Sequence, residues 1–186
     1  SIGQGFNLVT PLQLANAFAA FANGGTLWKP YLVKYIESTD GKIYKEFLPE
    51  KKGEVKLSPK TIEILNGALW GVVNEPGGTG HAASIPGIDV CGKTGTSQVL
   101  GLPADEKARR ARRLSAFQKD HALFACFAPM KNPEIAVVVV MENAGGGGAV
   151  AAPIARRILS AYFEGKKKDK HQRAMAQSPQ MDTLNN

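Results

Sequence analysis

The sequence predicts an α+β fold in which an antiparallel sheet is flanked by helices. Two segments carry apolar residues at helical spacing behind a capping residue, which is typical of amphipathic helices. Two strand-like segments, 121–128 and 134–142, are joined by only five residues, which implies antiparallel pairing. With 186 residues, of which 44% are hydrophobic, the chain is long enough for one domain with a proper core.

Both predicted helices have clear start and stop signals. Thr10 provides an N-cap, and Gln13 completes a capping box before a run that ends at Gly24. Ser58 caps a second helix that ends before Pro76. The apolar face of the second helix is formed by Ile62, Leu65, Leu69 and Val73.

The remaining elements follow from shorter patterns. Alternating residues over 31–37 and 42–47, around Asp40 and Gly41, predict a hairpin. The apolar run 137–140 lacks alternation, which predicts a strand covered on both faces. A glycine loop at 145–148 leads to a final helix over 150–163, and the domain is predicted to span 1–164. Residues 165–186 have no apolar periodicity and are predicted to be a disordered polar tail.

The most informative motif is Lys93-Thr94-Gly95-Thr96, within a segment rich in β-branched residues that predicts a strand. Side chains alternate along a strand, so Lys93 and Gly95 should face one way and Thr94 and Thr96 the other. Glycine leaves room for a ligand beside the strand. A cation, hydroxyl groups and accessible backbone suit a peptide carboxylate and a developing oxyanion.

The same stretch also fits a phosphate-binding pattern. Residues Gly87 to Thr94 match G-x-x-x-x-G-K-[ST], which would indicate a nucleotide site if Thr94 opened a helix. The residues after Thr94 include Gly95, Gly101 and Pro103, which are poor helix formers. The sequence therefore favours a strand over a phosphate loop.

Composition excludes some classes of site. Two cysteines and three histidines, widely scattered, give no metal-ligand spacing, so no metal and no cofactor is predicted. Cys91 and Cys126 lie in strand-like segments and are interpreted as buried free thiols, with a bridge between neighbouring strands left open.

The net charge of +7 comes largely from clusters at 107–113 and 166–173. Neither cluster is interleaved with aromatic residues, which favours solvated charge over nucleic-acid binding.

Together these motifs resemble the C-terminal half of a penicillin-binding transpeptidase domain, of the class B elongation type called penicillin-binding protein 2. The resemblance covers roughly residues 1–164. The residues that carry it are Ser1-Ile-Gly-Gln-Gly-Phe-Asn-Leu-Val-Thr-Pro-Leu-Gln-Leu-Ala, Phe21-Ala-Asn-Gly-Gly-Thr, Gly92-Lys-Thr-Gly-Thr-Ser-Gln-Val, Phe127-Ala-Pro and Glu142-Asn143.

The resemblance implies roles for the residues of the motif. Lys93 and Thr96 would be catalytic, with the Thr96 backbone N–H as one of two oxyanion donors. Residues Thr94, Gly95, Thr96 and Ser97 would bind substrate, with Thr94 and Thr96 holding the terminal carboxylate of a peptidoglycan stem peptide or a β-lactam. A sensor or hydrolase of the same superfamily remains an alternative, and so does the nucleotide-binding module.

One departure from the family pattern is large. The superfamily uses S-x-x-K, S-x-N and K-[ST]-G, and this sequence contains only the third. The resemblance therefore implies a missing N-terminal half that carries the nucleophile, so this chain alone should be inactive. It also implies an apolar surface on the helices at 11–23 and 58–74, contact with cell-elongation proteins, and location at the periplasmic face of the inner membrane.

Overall fold

The computed structural model describes residues 7–101, 105 and 115–177. A three-stranded antiparallel sheet in the order β5-β6-β7 forms its centre. Helices α1 and α3 pack on this sheet, α2 packs beside β5, and a separate β-ribbon follows α1. The elements in chain order are α1 (Pro11–Ala22), β1 (Thr26–Trp28), β2 (Tyr35–Glu37), β3 (Ile43–Glu46), β4 (Lys51–Glu54), α2 (Pro59–Asn74), β5 (Cys91–Ser97), β6 (His121–Ala128), β7 (Ile135–Met141) and α3 (Gly147–Gln177).

The start signals of the first two helices are confirmed. At α1 the Thr10 hydroxyl accepts the Gln13 N–H at 3.2 Å, and the Gln13 side chain accepts the Thr10 N–H at 2.8 Å. At α2 the Ser58 hydroxyl accepts the Thr61 N–H at 3.1 Å. These bonds satisfy N–H groups that have no partner within the helix.

The main core lies between α3 and one face of the sheet. Alternate residues of β6 and β7, including Phe124, Cys126 and Val137, pack with Leu159 of α3. The other face carries Phe127, whose ring meets Phe21 of α1 edge to face at a centroid distance of 6.1 Å. The predicted covering of the strand at 137–140 on both faces is therefore confirmed as far as Val139, beyond which side chains become exposed.

The β-ribbon contains the predicted hairpin and a pair of strands that was not predicted. β2 and β3 pair antiparallel as expected, although both are shorter than predicted. β1 and β4 pair at the base of the ribbon. Gly25 permits this junction, because a Cβ there would lie 2.1 Å from the Val55 carbonyl oxygen and its φ is +113°.

The final helix is longer than predicted, and this corrects the predicted tail. α3 begins at Gly147 rather than 150 and continues past Gly165 to Gln177, so residues 165–177 are helical in place of the irregular segment predicted. The segment is rich in Lys, Arg, Ala and Gln, which propagate a helix readily once packed turns have nucleated it. Lys166 also forms an ion pair with Glu134. Residues 178–186 lie outside the described residues, so this part of the tail prediction stays open.

Candidate functional site: an open strand edge

The K-T-G motif lies on β5, at the edge of the central sheet. β5 pairs with β6 from Cys91↔Phe127 to Ser97↔His121 without a break in register. No strand pairs with its other edge among the residues that the structure describes. An antiparallel edge strand leaves alternate backbone N–H and C=O groups without a strand partner. Such an edge can accept an extended ligand as an additional strand.

β5 is held at its start by α2. The Trp70 indole N–H donates to the Asp89 carboxylate at 2.8 Å, and the Asn74 amide donates to the Val90 carbonyl at 2.8 Å. Gly92 lets the strand pass the Phe124 ring, since a Cβ at Gly92 would lie 2.6 Å from that ring. The strand therefore enters the site from a fixed position.

The predicted alternation along β5 is present. The Thr94 hydroxyl lies 3.0 Å from the Thr79 hydroxyl, on the side of the strand that faces the start of α3. Gly95 faces the opposite way, towards Leu123, and Lys93 is exposed. The Lys93 ammonium donates to the Thr94 carbonyl at 2.8 Å, so its charge lies along the strand that carries it. Thr96 and Ser97 are exposed at the far end of the strand.

The glycine-rich loop closes on β5 more tightly than sequence patterns indicated. A Cβ at Gly147 would lie 2.1 Å from the Leu123 carbonyl oxygen and 2.5 Å from the Gly95 carbonyl oxygen. A Cβ at Gly148 would lie 2.2 Å from the Thr79 carbonyl oxygen. The first residues of α3 therefore contact the backbone of the motif directly, and only glycine fits there.

Thr79 is the residue that sequence reasoning missed. It lies in the turn Gly77–Gly80, beside a groove of about 420 Å³ that α2 and the turn form together. The only local signal for it is a threonine flanked by glycines, Gly78 and Gly80. The His81 ring nitrogen Nδ1 lies 3.0 Å from the Val73 carbonyl oxygen, and that bond ties the turn to α2.

The far end of the site is fixed by Asn143, which follows β7. Its backbone N–H donates to His121 Nδ1 at 2.9 Å, and its side-chain amide donates to the Phe117 and Lys119 carbonyls at 2.8 and 3.0 Å. Asn143 has a φ of +52°, a conformation that asparagine tolerates better than most residues. These bonds anchor the connection between β5 and β6 next to Ser97. The basic cluster at 107–113 lies outside the described residues.

The phosphate-loop interpretation is wrong. Gly87 has a φ of +77° in a turn, and Thr94 continues into β5 rather than opening a helix. Phosphate loops depend on the N–H groups and dipole of a helix N-terminus immediately after the glycine loop. The geometry needed to hold a nucleotide phosphate is therefore missing at Thr94.

Cys91 and Cys126 are free and buried, as interpreted from the sequence. The register places them on opposite faces of the sheet, because Cys126 lies opposite Gly92. Burial, with a smaller contribution from the Asp89 carboxylate, raises the pKa of Cys91 to about 12. Burial raises the pKa of Cys126 to about 12 as well. Both groups are therefore protonated thiols at neutral pH, with no nucleophilic character.

The comparisons with known proteins agree with this geometry. Residues 1–160 match the family model described as the penicillin binding protein transpeptidase domain. The chain belongs to this family. It is 38% identical over 165 residues to peptidoglycan D,D-transpeptidase MrdA of Haemophilus influenzae, covering 87% of this chain and 25% of that protein. It is also 38% identical over 165 residues to stage V sporulation protein D of Bacillus subtilis, covering 86% of this chain and 23% of that protein.

Solved structures of the family have the same fold. Pseudomonas aeruginosa PBP2 in complex with WCK 5153 matches with a TM-score of 0.65 and 33% identity, over 87% of this chain and 31% of that one. Penicillin-binding protein A of Mycobacterium tuberculosis, as an imipenem acyl-enzyme complex, matches with a TM-score of 0.67 and 30% identity, over 87% of this chain and 32% of that one. The predicted transpeptidase fold and the resemblance to penicillin-binding protein 2 are thus confirmed. The chain spans about a quarter of the length of the curated relatives.

Among the described residues, no three His, Cys, Asp or Glu side chains cluster as metal ligands. None of the helices in that part of the chain is long and apolar enough to cross a membrane.

Proposed function

We propose that this chain forms one wall of a serine D,D-transpeptidase site within a longer protein that cross-links peptidoglycan stem peptides and is acylated by β-lactams. The observation that carries the proposal is β5, which carries Lys93, Thr94, Gly95 and Thr96 and pairs with β6 on one side only among the residues that the structure describes. The family membership and the acyl-enzyme complexes of its structural neighbours with imipenem and penicillin G support it.

The chemistry of this wall is recognition and charge stabilisation. An extended D-alanyl-D-alanine end would lie along the open edge of β5, with its carboxylate held by the Thr94 and Thr96 hydroxyls near the Lys93 ammonium. Hydrogen bonds to a charged acceptor are about twice as strong as neutral ones. The Thr96 backbone N–H would donate to the carbonyl oxygen as it becomes an oxyanion, a type of contact that lowers the barrier by about 2.7–4 kcal/mol.

The nucleophile would come from the part of the longer protein outside this chain. No serine in this sequence is followed three residues later by lysine, and the sequence has no Ser-x-Asn. Attack by an activated serine on the penultimate D-alanine carbonyl would release D-alanine and form an ester, which the amine of a neighbouring stem peptide then converts to the cross-link.

The surface between α1 and α2 supports this arrangement. Leu14, Phe18 and Leu69 help to line an almost wholly apolar groove of about 240 Å³, and Leu65 at its rim is 41% exposed. We propose that the nucleophile-bearing part of the domain covers this groove. We also propose that the longer protein works at the periplasmic face of the inner membrane, with cell-elongation proteins as partners.

Fluorescent penicillin tests the function. The longer protein should be labelled covalently, and Lys93→Ala should slow labelling by about 10²-fold because the positive charge beside β5 is lost. Lys42→Ala, which removes an exposed lysine paired with Asp40 in the hairpin, is the matched control. This chain alone should not be labelled. Labelling of the isolated chain, or an unchanged rate in Lys93→Ala, would contradict the proposal.

The time course after labelling separates the enzyme classes. A transpeptidase should hold the penicillin-derived acyl group for many minutes, whereas a β-lactamase would release it by hydrolysis within seconds.

A further inference from the structure

One contact near the motif has no role in the proposed mechanism. The Thr79 and Thr94 hydroxyl oxygens lie 3.0 Å apart, which is hydrogen-bonding distance for two hydroxyls. The two residues are fifteen positions apart in sequence and belong to different segments, the turn after α2 and the strand β5. Thr94 is half-buried on β5, whereas Thr79 is exposed and lines the groove beside α2. The contact therefore depends on tertiary structure.

The turn that carries Thr79 is held in place by three glycine contacts. A Cβ at Gly78 would lie 2.4 Å from the Val72 carbonyl oxygen, and one at Gly80 would lie 2.8 Å from the Phe124 ring. On the other side, Gly148 approaches the Thr79 carbonyl so closely that a Cβ would lie 2.2 Å from its oxygen. The backbone around Thr79 therefore packs closely against α2, the sheet and α3. This packing fixes the position from which the Thr79 side chain extends.

The donors and acceptors of a hydroxyl group determine which threonine donates in this hydrogen bond. A threonine hydroxyl has one hydrogen to donate and two lone pairs to accept with. If Thr94 donates its hydrogen to a ligand carboxylate, its oxygen can only accept from Thr79. The order becomes Thr79 to Thr94 to carboxylate, and each hydrogen bond in such a chain polarises the next.

We propose that Thr79 is a positioning residue that turns the Thr94 hydroxyl hydrogen outwards, so that the site favours ligands with a carboxylate over neutral ones. This inference rests on the proposed function. It names Thr79 as a determinant of specificity that acts through Thr94 and does not itself touch the reacting bond.

Acylation kinetics of the longer protein test the role. Thr79→Val, which keeps the side-chain shape but removes the hydroxyl, should lower the second-order acylation rate constant for benzylpenicillin about three- to tenfold. The rate constant for benzylpenicillin methyl ester, which has no carboxylate, should not change. Thr79→Ser should restore the rate for benzylpenicillin to within about twofold of the wild type. Thr39→Val, at an exposed position in the hairpin, is the matched control.

A double-mutant cycle separates positioning from folding. Thr79→Val combined with Thr94→Val should acylate no more slowly than Thr94→Val alone, because Thr79 has nothing left to orient. Additive losses, an equal loss for the methyl ester, or no rescue by Thr79→Ser would each overturn the inference. A wild-type protein that penicillin does not acylate would overturn the proposed function and the inference together. Normal wild-type acylation with an unaffected Thr79→Val variant would overturn only the inference.

Discussion

Replacing Gly147 by alanine should displace the strand that carries the K-T-G motif, although Gly147 is not itself part of the motif. A Cβ at this position would lie 2.1 Å from the Leu123 carbonyl oxygen and 2.5 Å from that of Gly95. Real Cβ atoms essentially never approach closer than 3.0 Å, so α3 and β5 would have to separate by about 1 Å. Neither carbonyl can retreat alone, because β5 and β6 are paired along their whole length.

The magnitude follows from two opposing effects. Overpacking of this kind costs about 3 kcal/mol, at the upper end of the usual range, because both atoms that must move are backbone. Replacing glycine by alanine in a helix returns about 0.5–1 kcal/mol. The net loss in the free energy of unfolding should therefore be about 2 kcal/mol. A shift of about 1 Å in Gly95 should also slow acylation by up to about 10²-fold.

Gly146→Ala is the matched control, because no atom lies within 4 Å of a Cβ at this exposed position. Urea denaturation of the longer protein measures stability, and fluorescent-penicillin labelling below the denaturation midpoint measures the site. The control should be neutral in both assays. If Gly147→Ala is as stable and as quickly acylated as Gly146→Ala, the close contact between α3 and β5 does not exist.

Two further predictions concern buried thiols and the end of α3. Because burial raises the pKa of Cys91 and Cys126 to about 12, the folded protein keeps protons that the unfolded chain releases above its thiol pKa of about 8.5. The free energy of unfolding should therefore fall as pH rises from about 8.5 to 12, by about 2 kcal/mol per thiol at pH 10. A double Cys→Ala variant whose free energy of unfolding falls equally steeply with pH would refute this. Truncation after Gly165 should leave β-lactam acylation unchanged while circular dichroism loses the helical signal of the removed turns. Unchanged circular dichroism would instead support the disordered tail predicted from the sequence.

The sequence was most informative where structure is decided locally. The caps at Thr10 and Ser58 and the turn at Gly41 involve residues within four positions of each other, so their chemistry is visible in the sequence. The strand at Lys93 could be distinguished from a phosphate loop for the same reason, since the residues after Thr94 cannot easily form a helix.

Features set by tertiary contacts were missed. β4 reads Lys-Lys-Gly-Glu, which has no strand propensity, and it pairs with β1 because Gly25 and Val55 come together, with the Val55 N–H donating to Gly25 at 2.7 Å. Thr79 looked like part of an ordinary turn, since nothing local shows that its hydroxyl reaches Thr94. The extension of α3 was missed because a polar helix that continues from a packed one needs no apolar periodicity of its own.

The β-ribbon has a consequence for the local stability of the chain. Every residue of β2 and β3 is exposed, and neither strand packs on the central sheet, so opening the hairpin breaks few contacts elsewhere. Backbone amides in such a unit exchange with solvent through small, frequent openings, whereas those of β6 exchange only through larger ones. The tip at Asp40 and Gly41 can thus open and close many times while β5 keeps its shape. The chain therefore combines a rigid central sheet with a hairpin whose local opening does not disturb β5.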